Sequence, residues 1–147
     1  MSKKPLHILL VDDDADDRFL FQEALQEIAP DAKLSLIDGC DTFLKLSKHV
    51  SNMPDMILLD LNMPGKNGFE CLDEIKNIFH LGNIPLLIYS TTANPDQVKK
   101  TYNKGATLYM QKPTSFEGIK KLMKKVLLIN LKDHMPQAVE SNMVFSA

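Results

Sequence analysis

Short apolar runs alternate with segments of helical period along this chain. Ile8-Leu9-Leu10-Val11 is an apolar run bounded by charge and predicts a first strand. Phe19, Leu20, Ala24, Leu25 and Ile28 recur at helical spacing, and Pro30 stops that helix. Leu34 to Ile37 predicts a weaker second strand, closed by Asp38-Gly39, with a short helix around Thr42 to His49. Met56 to Asp60 is the third strand, and Phe69, Leu72, Ile75 and Phe79 mark the inner stripe of the helix after it. Gly82-Asn83 turns the chain into a fourth strand, Ile84 to Tyr89, which ends in Ser90-Thr91-Thr92. Asn94-Pro95-Asp96 starts a polar fourth helix, with Val98 and Tyr102 as its apolar contacts and Gly105 as its cap. Thr107 to Met110 is the fifth strand, ending at Gln111-Lys112-Pro113. The last helix runs from Ser115 to Ile129, with Phe116, Ile119, Leu122, Met123 and Val126 inward.

Strands that alternate with helices in this way predict an α/β fold with a doubly wound parallel sheet of five strands and helices on both faces. The unbroken apolar run at Met56 to Leu59 suits a strand covered on both sides. Right-handed crossovers and a single reversal of direction give strand order 2-1-3-4-5, the flavodoxin-like arrangement. Residues 6–130 form the expected domain, and 131–147 are a tail with Pro136 and scattered apolar residues, too short for an output domain.

Composition narrows the function classes. A chain of 147 residues with 44% apolar residues supports one domain with a full core. A net charge of −2 gives no global reason to bind nucleic acid or an acidic membrane. No stretch approaches the ~20 apolar residues of a membrane span, so a soluble, cytoplasmic protein is expected. Cys40 and Cys71 lack metal-type spacing and are expected as buried intracellular thiols. The lysines at 99, 100, 104, 120, 121, 124 and 125 read as a solvated face; a nucleic-acid patch would want interleaved aromatic residues.

The chemistry collects at the strand ends, where open α/β sheets bind ligands. Strand one delivers Asp12 and Asp13, strand three Asp60, strand four Ser90 and Thr91, and strand five Lys112. Asp14 suits an N-cap, and Asp16 and Asp17 suit the first turn of a helix, where the macrodipole favours negative charge. Two carboxylates ~5 Å apart at an effective dielectric of ~20 repel by roughly 3 kcal/mol, so a cluster of them calls for a cation. Hard oxygen ligands favour Mg²⁺, with Mn²⁺ able to substitute. Lys112 offers a point charge and Ser90 a hydroxyl for a phosphoryl group, and Asp60 is a nucleophile for its transfer.

This set resembles the receiver domain of two-component response regulators, chemotaxis-regulator-like in plan. The resemblance rests on the acid pair in Leu9-Leu10-Val11-Asp12-Asp13, on Leu58-Leu59-Asp60-Leu61-Asn62-Met63-Pro64 with Gly68 after it, on Ser90 closing strand four, and on Lys112-Pro113 closing strand five. It covers Leu6 to Ile129, and the acidic opening and the tail look most like single-domain regulators associated with bacterial phytochromes.

The resemblance implies a signalling switch of a phosphorelay. Asp60 would accept a phosphoryl group from a phosphohistidine of a sensor histidine kinase or phosphotransfer protein. Asp13, Asp60 and the backbone carbonyl of Asn62 would ligate Mg²⁺, with Asp12 assisting directly or through water. Lys112 and Ser90 would hold the phosphoryl group, and Tyr109 would be the switch aromatic that turns inward as Ser90 moves. The Lys112–Pro113 bond would be cis. Such a protein catalyses only its own phosphorylation and dephosphorylation and signals to a downstream protein target through the fourth helix, fifth strand and fifth helix, a surface that also suits a homodimer. Ser90 stands where the family more often has Thr, and Thr91 is larger than the usual Ala or Gly, narrowing access to the phosphoryl group. Asn62 and Thr92 occupy positions that tune dephosphorylation.

Other readings fit less well. A haloacid-dehalogenase-like phosphatase would use Asp12-x-Asp14, but its motif continues with Gly-Thr where this chain has Ala15-Asp16, and it wants an acid pair after strand four. A calcium loop starting at Asp60 would put Pro64 at its fifth position and Cys71, in place of Glu, at its twelfth. A flavodoxin would need hydroxyls and glycine after strand one, where the acids would repel a phosphate. Acids that merely cap helices would leave Lys112 and Ser90 unexplained.

Overall fold

Parallel strands buried on both faces need helices above and below, and the chain supplies them in strict alternation. The computed structural model describes residues 5–47, 53–63, 67–78, 83–129 and 143–147. Its elements are β1 (His7–Val11), α1 (Ala15–Ile28), β2 (Lys33–Ile37), α2 (Cys40–Ser47), β3 (Met56–Leu59), α3 (Gly68–Asn77), β4 (Leu86–Ser90), α4 (Pro95–Asn103), β5 (Leu108–Gln111), α5 (Phe116–Leu127) and β6 (Val144–Phe145). The sheet runs β2-β1-β3-β4-β5-β6, parallel throughout. The expected order of the first five strands holds, and a short sixth strand extends it: Val144 pairs with Tyr109 and Phe145 with Met110. Part of the tail thus belongs to the sheet, anchored where the Tyr102 hydroxyl donates to the Met143 carbonyl at 2.6 Å. Phe79, His49, Gly82 and Pro136 lie outside the described residues.

The two-residue period of the strands divides the core. Leu9, Val11, Ile57, Leu59 and Ile88 face one way, against Phe43, Leu72, Ile75, Val98 and Tyr102 from α2, α3 and α4. Ile8, Leu10, Leu58 and Leu87 face the other, against Phe21, Leu25, Leu122 and Val126 from α1 and α5. One expectation needs correcting here. In α1 the inward stripe begins at Phe21, which is fully buried, while Phe19 and Leu20 are 58% and 40% exposed. Phe21, Ala24, Leu25 and Ile28 are spaced i, i+3, i+4, i+7, and Phe21 sets the phase by meeting the Tyr89 ring edge-on at 5.7 Å. The run Phe19-Leu20-Phe21 offers three phases, and only packing chooses among them.

The cysteines are buried, as expected, but they are not thiols. Cys40 and Cys71 form a disulfide with their Cα atoms 5.9 Å apart. Cys40 opens α2 and Cys71 sits near the start of α3, helices that pack side by side on the same face of the sheet. A separation of 31 residues gives no hint of that proximity. At the opposite end of the strands, His7 Nε2 lies 2.8 Å from Ser35 Oγ, and the His7 N–H donates to Asp55 Oδ2 at 2.7 Å. Partial burial, and then the charge of Lys33, push the imidazole below its usual pKa against the pull of Asp55.

Two predictions follow from these contacts. Closing a loop of this length restricts the unfolded chain by about 3–4 kcal/mol in the chain-entropy picture. Reductant should therefore lower the urea midpoint of the wild type and leave that of a Cys40→Ser/Cys71→Ser double variant unchanged. Equal wild-type midpoints with and without reductant would mean that the pair is open in solution. For His7, the unfolded chain takes up the proton first as pH falls. Its contribution to stability is complete above the ordinary histidine value of 6.5 and is lost as pH falls through the lower folded-state value. Thermal midpoints measured below pH 6.5 should decline with acid less steeply in His7→Gln than in the wild type; identical slopes would count against the assignment.

Candidate functional site

The register of the sheet brings the strand-end residues to one edge. Val11 pairs with both Ile37 and Leu59, so β1, β2 and β3 finish level, while Leu59 pairs with Ile88 and β4 and β5 run two residues further to finish together at Ser90 and Gln111. Backbone bonds continue past the strands: the Asp12 N–H donates to the Ile37 carbonyl, the Asp60 N–H to the Val11 carbonyl and the Lys112 N–H to the Ser90 carbonyl at 3.0, 3.0 and 2.7 Å. Asp12, Asp60 and Lys112 are therefore placed by sheet hydrogen bonding, a more rigid support than a loop.

The side chains converge on an ammonium group. Lys112 Nζ donates to Asp12 Oδ2 at 2.8 Å, Asp17 Oδ2 at 2.9 Å and Asp60 Oδ2 at 3.3 Å. One carboxylate oxygen from each of Asp12, Asp13 and Asp60 lies within 4.8 Å of the others, a spacing that a single divalent cation can bridge. Asp12 and Asp60 are buried and Asp13 is exposed, so the cluster is half-enclosed and opens to solvent on one side. Asp12 Oδ1 accepts the Asp14 N–H at 3.0 Å, and Arg18 donates to the Asp12 carbonyl at 2.7 Å. An all-oxygen set of this kind fits Mg²⁺ or Mn²⁺ in preference to a softer metal.

Burial and opposite charge act against one another here. Burial pushes the Asp12 carboxyl up to about 6, against the hydrogen bond from Lys112, and the nearby Asp60 charge adds to the rise. Burial alone would lower Lys112, but hydrogen bonds to Asp12 and Asp17 and the charge of Asp60 outweigh it and hold the lysine firmly protonated. Tyr89 lines the same region beneath the ammonium, 5.4 Å from ring centroid to Nζ, and its phenol is pushed upward by burial and stays neutral.

The remaining sequence candidates lie along a line leading away from the carboxylates. The Asn62 N–H donates to Asp60 Oδ1 at 3.1 Å, and its side-chain amide reaches Ser90 Oγ at 3.4 Å. Ser90 is fully buried, and its hydroxyl accepts the Thr92 N–H at 3.3 Å. Tyr109, also fully buried, donates its hydroxyl to the Thr92 carbonyl at 2.7 Å. The Tyr109 N–H in turn donates to the Tyr102 hydroxyl at 3.0 Å. Thr91 is exposed, beside a cleft of about 400 Å³ that Asp17, Leu20 and Lys112 also line. Asp17 is the site residue that sequence reasoning missed. A signal was present: helical side chains lean toward the helix N-terminus, which for α1 is the strand-end edge.

The sequence matches the response regulator receiver domain family over residues 8–124. It is similar to the response regulator Rcp1 of Synechocystis sp., at 35% identity over 130 residues that cover 85% of this chain and 88% of that protein. The Mn²⁺-bound form of response regulator Rcp1 aligns with a TM-score of 0.74 at 32% identity, covering 84% of this chain and 96% of the other. The phosphorylated cyanobacterial phytochrome response regulator RcpA aligns with a TM-score of 0.74 at 30% identity, covering 83% and 91%.

The loop carrying Asp60 returns against α3 at a point where only glycine fits. A Cβ on Gly68 would stand 2.4 Å from Leu61 Cα and 2.9 Å from the Asp60 carbonyl oxygen, both backbone atoms. Gly68→Ala should cost about 1–3 kcal/mol in urea unfolding. The backbone that must yield is that of Leu61 and, next to it, Asp60. Wild-type stability in this variant would refute the close approach.

Proposed function

This chain belongs to the response regulator receiver domain family, and we propose that it is a phosphoacceptor switch that takes a phosphoryl group onto Asp60 from a phosphohistidine of a sensor histidine kinase or phosphotransfer protein. The observation that carries this reading is the Asp12–Asp13–Asp60 cluster closed over by Lys112, with oxygens within 4.8 Å and the ammonium 3.3 Å from Asp60 Oδ2. Among the named relatives, one is described with Mn²⁺ bound and another in its phosphorylated state, which suits the same chemistry here.

In this reading a carboxylate oxygen of Asp60 attacks phosphorus, the phosphorus–nitrogen bond to the donor imidazole breaks, and that nitrogen leaves with the bonding electron pair. Asp12, Asp13, Asp60 and the Asn62 carbonyl would hold Mg²⁺, which when bound offsets charge on the phosphoryl oxygens. Lys112 supplies a fixed positive charge on the same group, and Ser90 turns its hydroxyl toward it. Water later hydrolyses the acyl phosphate, so the chemistry begins and ends on the protein itself. The consequence is carried by shape: when Ser90 shifts, Thr92 and the Tyr109 hydroxyl bonded to its carbonyl must adjust. That adjustment reaches α4, β5 and α5, the surface proposed for a downstream protein target and for a homodimer. No helix among the described residues is long and apolar enough to cross a membrane, and a cytoplasmic site of action belongs to the same proposal. A phosphatase reading gains no support, since β4 ends in Ser90-Thr91-Thr92 where such an enzyme wants acids.

The test is incubation with Mg²⁺ and acetyl phosphate followed by intact mass measurement. One phosphoryl group should appear on the wild type, disappear with chelator, and be absent from Asp60→Asn. Labelling that survives in Asp60→Asn, or sustained turnover of a phosphomonoester, would overturn the reading.

A further inference from the structure

We propose that Asp17 is a positioning residue that restrains Lys112: its carboxylate holds the ammonium toward the solvent side of the site and competes with an incoming phosphoryl group for it. This role rests on the phosphoacceptor reading of Asp60 and deepens it.

An ammonium has three N–H donors, and Lys112 directs them to Asp12 at 2.8 Å, Asp17 at 2.9 Å and Asp60 at 3.3 Å. The three acceptors are not equivalent. The Asp12 side chain is 0% exposed and that of Asp60 6%, whereas that of Asp17 is 39% exposed. Asp12, and more distantly Asp60, anchor the lysine from within the fold. Asp17 pulls from outside, and the contact to the phosphoacceptor is the longest of the three. A cation on Asp12, Asp13 and Asp60 would partly neutralise those carboxylates and leave Asp17 as the uncompensated acid still bound to Lys112. A phosphoryl oxygen that needs the ammonium must displace it.

Helix capping does not account for the Asp17 side chain. The N-cap of α1 is Asp14, whose carboxylate accepts the Asp17 backbone N–H at 2.9 Å, so the cap uses the main chain of Asp17 and leaves its carboxylate free to turn to Lys112. Asp16 gives the matched control. It carries the same charge in the same first turn and is exposed. Lys112 bonds to Asp12, Asp17 and Asp60 and not to Asp16.

The test compares full-length Asp17→Asn and Asp16→Asn with the wild type in Mg²⁺, reading beryllofluoride affinity by calorimetry and the rate of labelling by acetyl phosphate. Asp17→Asn should tighten beryllofluoride binding about fivefold, the equivalent of ~1 kcal/mol for a partly exposed ion pair at 1.4 kcal/mol per tenfold. It should speed labelling by a similar factor, while thermal midpoints stay close to the wild type. Asp16→Asn should leave both readouts near wild type, and Asp17→Glu should restore the restraint. Unchanged or weaker beryllofluoride binding in Asp17→Asn would overturn the proposal. Equal gains in the two Asn variants would replace it with a long-range charge effect. A wild type that takes neither beryllofluoride nor phosphate would sink the phosphoacceptor reading, and the role of Asp17 with it.

Discussion

Everything at the strand-end edge depends on one ammonium among carboxylates. Asp12 and Asp60 are almost wholly buried, and two buried carboxylates this close are stable only beside a compensating charge. Lys112 provides that charge from β5, across the sheet from β1 and β3, so a single side chain ties three strands together electrostatically. The compensation is incomplete: the Asp12 carboxyl is still pushed up to about 6 by burial despite its hydrogen bond to Lys112. Three carboxylates around one ammonium leave net negative charge, which suits a divalent cation. A cluster fully satisfied by the protein would have no further use for one.

The same strand that carries Lys112 also carries the connection to the far side of the domain. Ser90 bonds to Thr92, Thr92 accepts from Tyr109, Tyr109 donates to Tyr102, and Tyr102 donates to Met143 just before β6. The bonds themselves are buried or part-buried, although Thr92 and Met143 are exposed residues. In such surroundings a lost hydrogen bond is costly, so a change at one member is passed on more readily than absorbed. The chain of bonds ends at the sixth strand, on the sheet edge between α4 and α5. A segment that the sequence marks only as tail is thus in hydrogen-bond continuity with the candidate site.

How much of this was legible in the sequence follows from which forces act locally. The alternation of runs reflects burial on each strand and helix separately, so it gave the fold class and the order of the first five strands. Asp12, Asp13, Asp60, Ser90 and Lys112 could be grouped because each ends a strand, and parallel strands end together. Asp17 was hidden because the helix macrodipole already explained it; a sufficient local cause masks a long-range one. The phase of α1 was ambiguous because Phe19, Leu20 and Phe21 are alike in hydrophobicity, and only packing in the core, the Tyr89 ring included, separates them. The Cys40–Cys71 pair and β6 depend on contacts between segments distant in sequence, and neither leaves a periodic trace.

The arrangement also limits what chemistry the protein can carry to completion. A phosphatase of the kind weighed from the sequence needs a second acid placed to activate water against the acyl phosphate. Here β4 ends in hydroxyls, and Asn62, two residues after Asp60, offers an amide whose main-chain N–H is bonded to Asp60 itself. Asp17 is bound to Lys112 and so is not placed as a base. Charge stabilisation is present and β4 offers hydroxyls in place of acids, which suits the proposed phosphoacceptor better than a phosphatase. The difference between the two readings thus lies in which strand ends carry carboxylates and which carry hydroxyls.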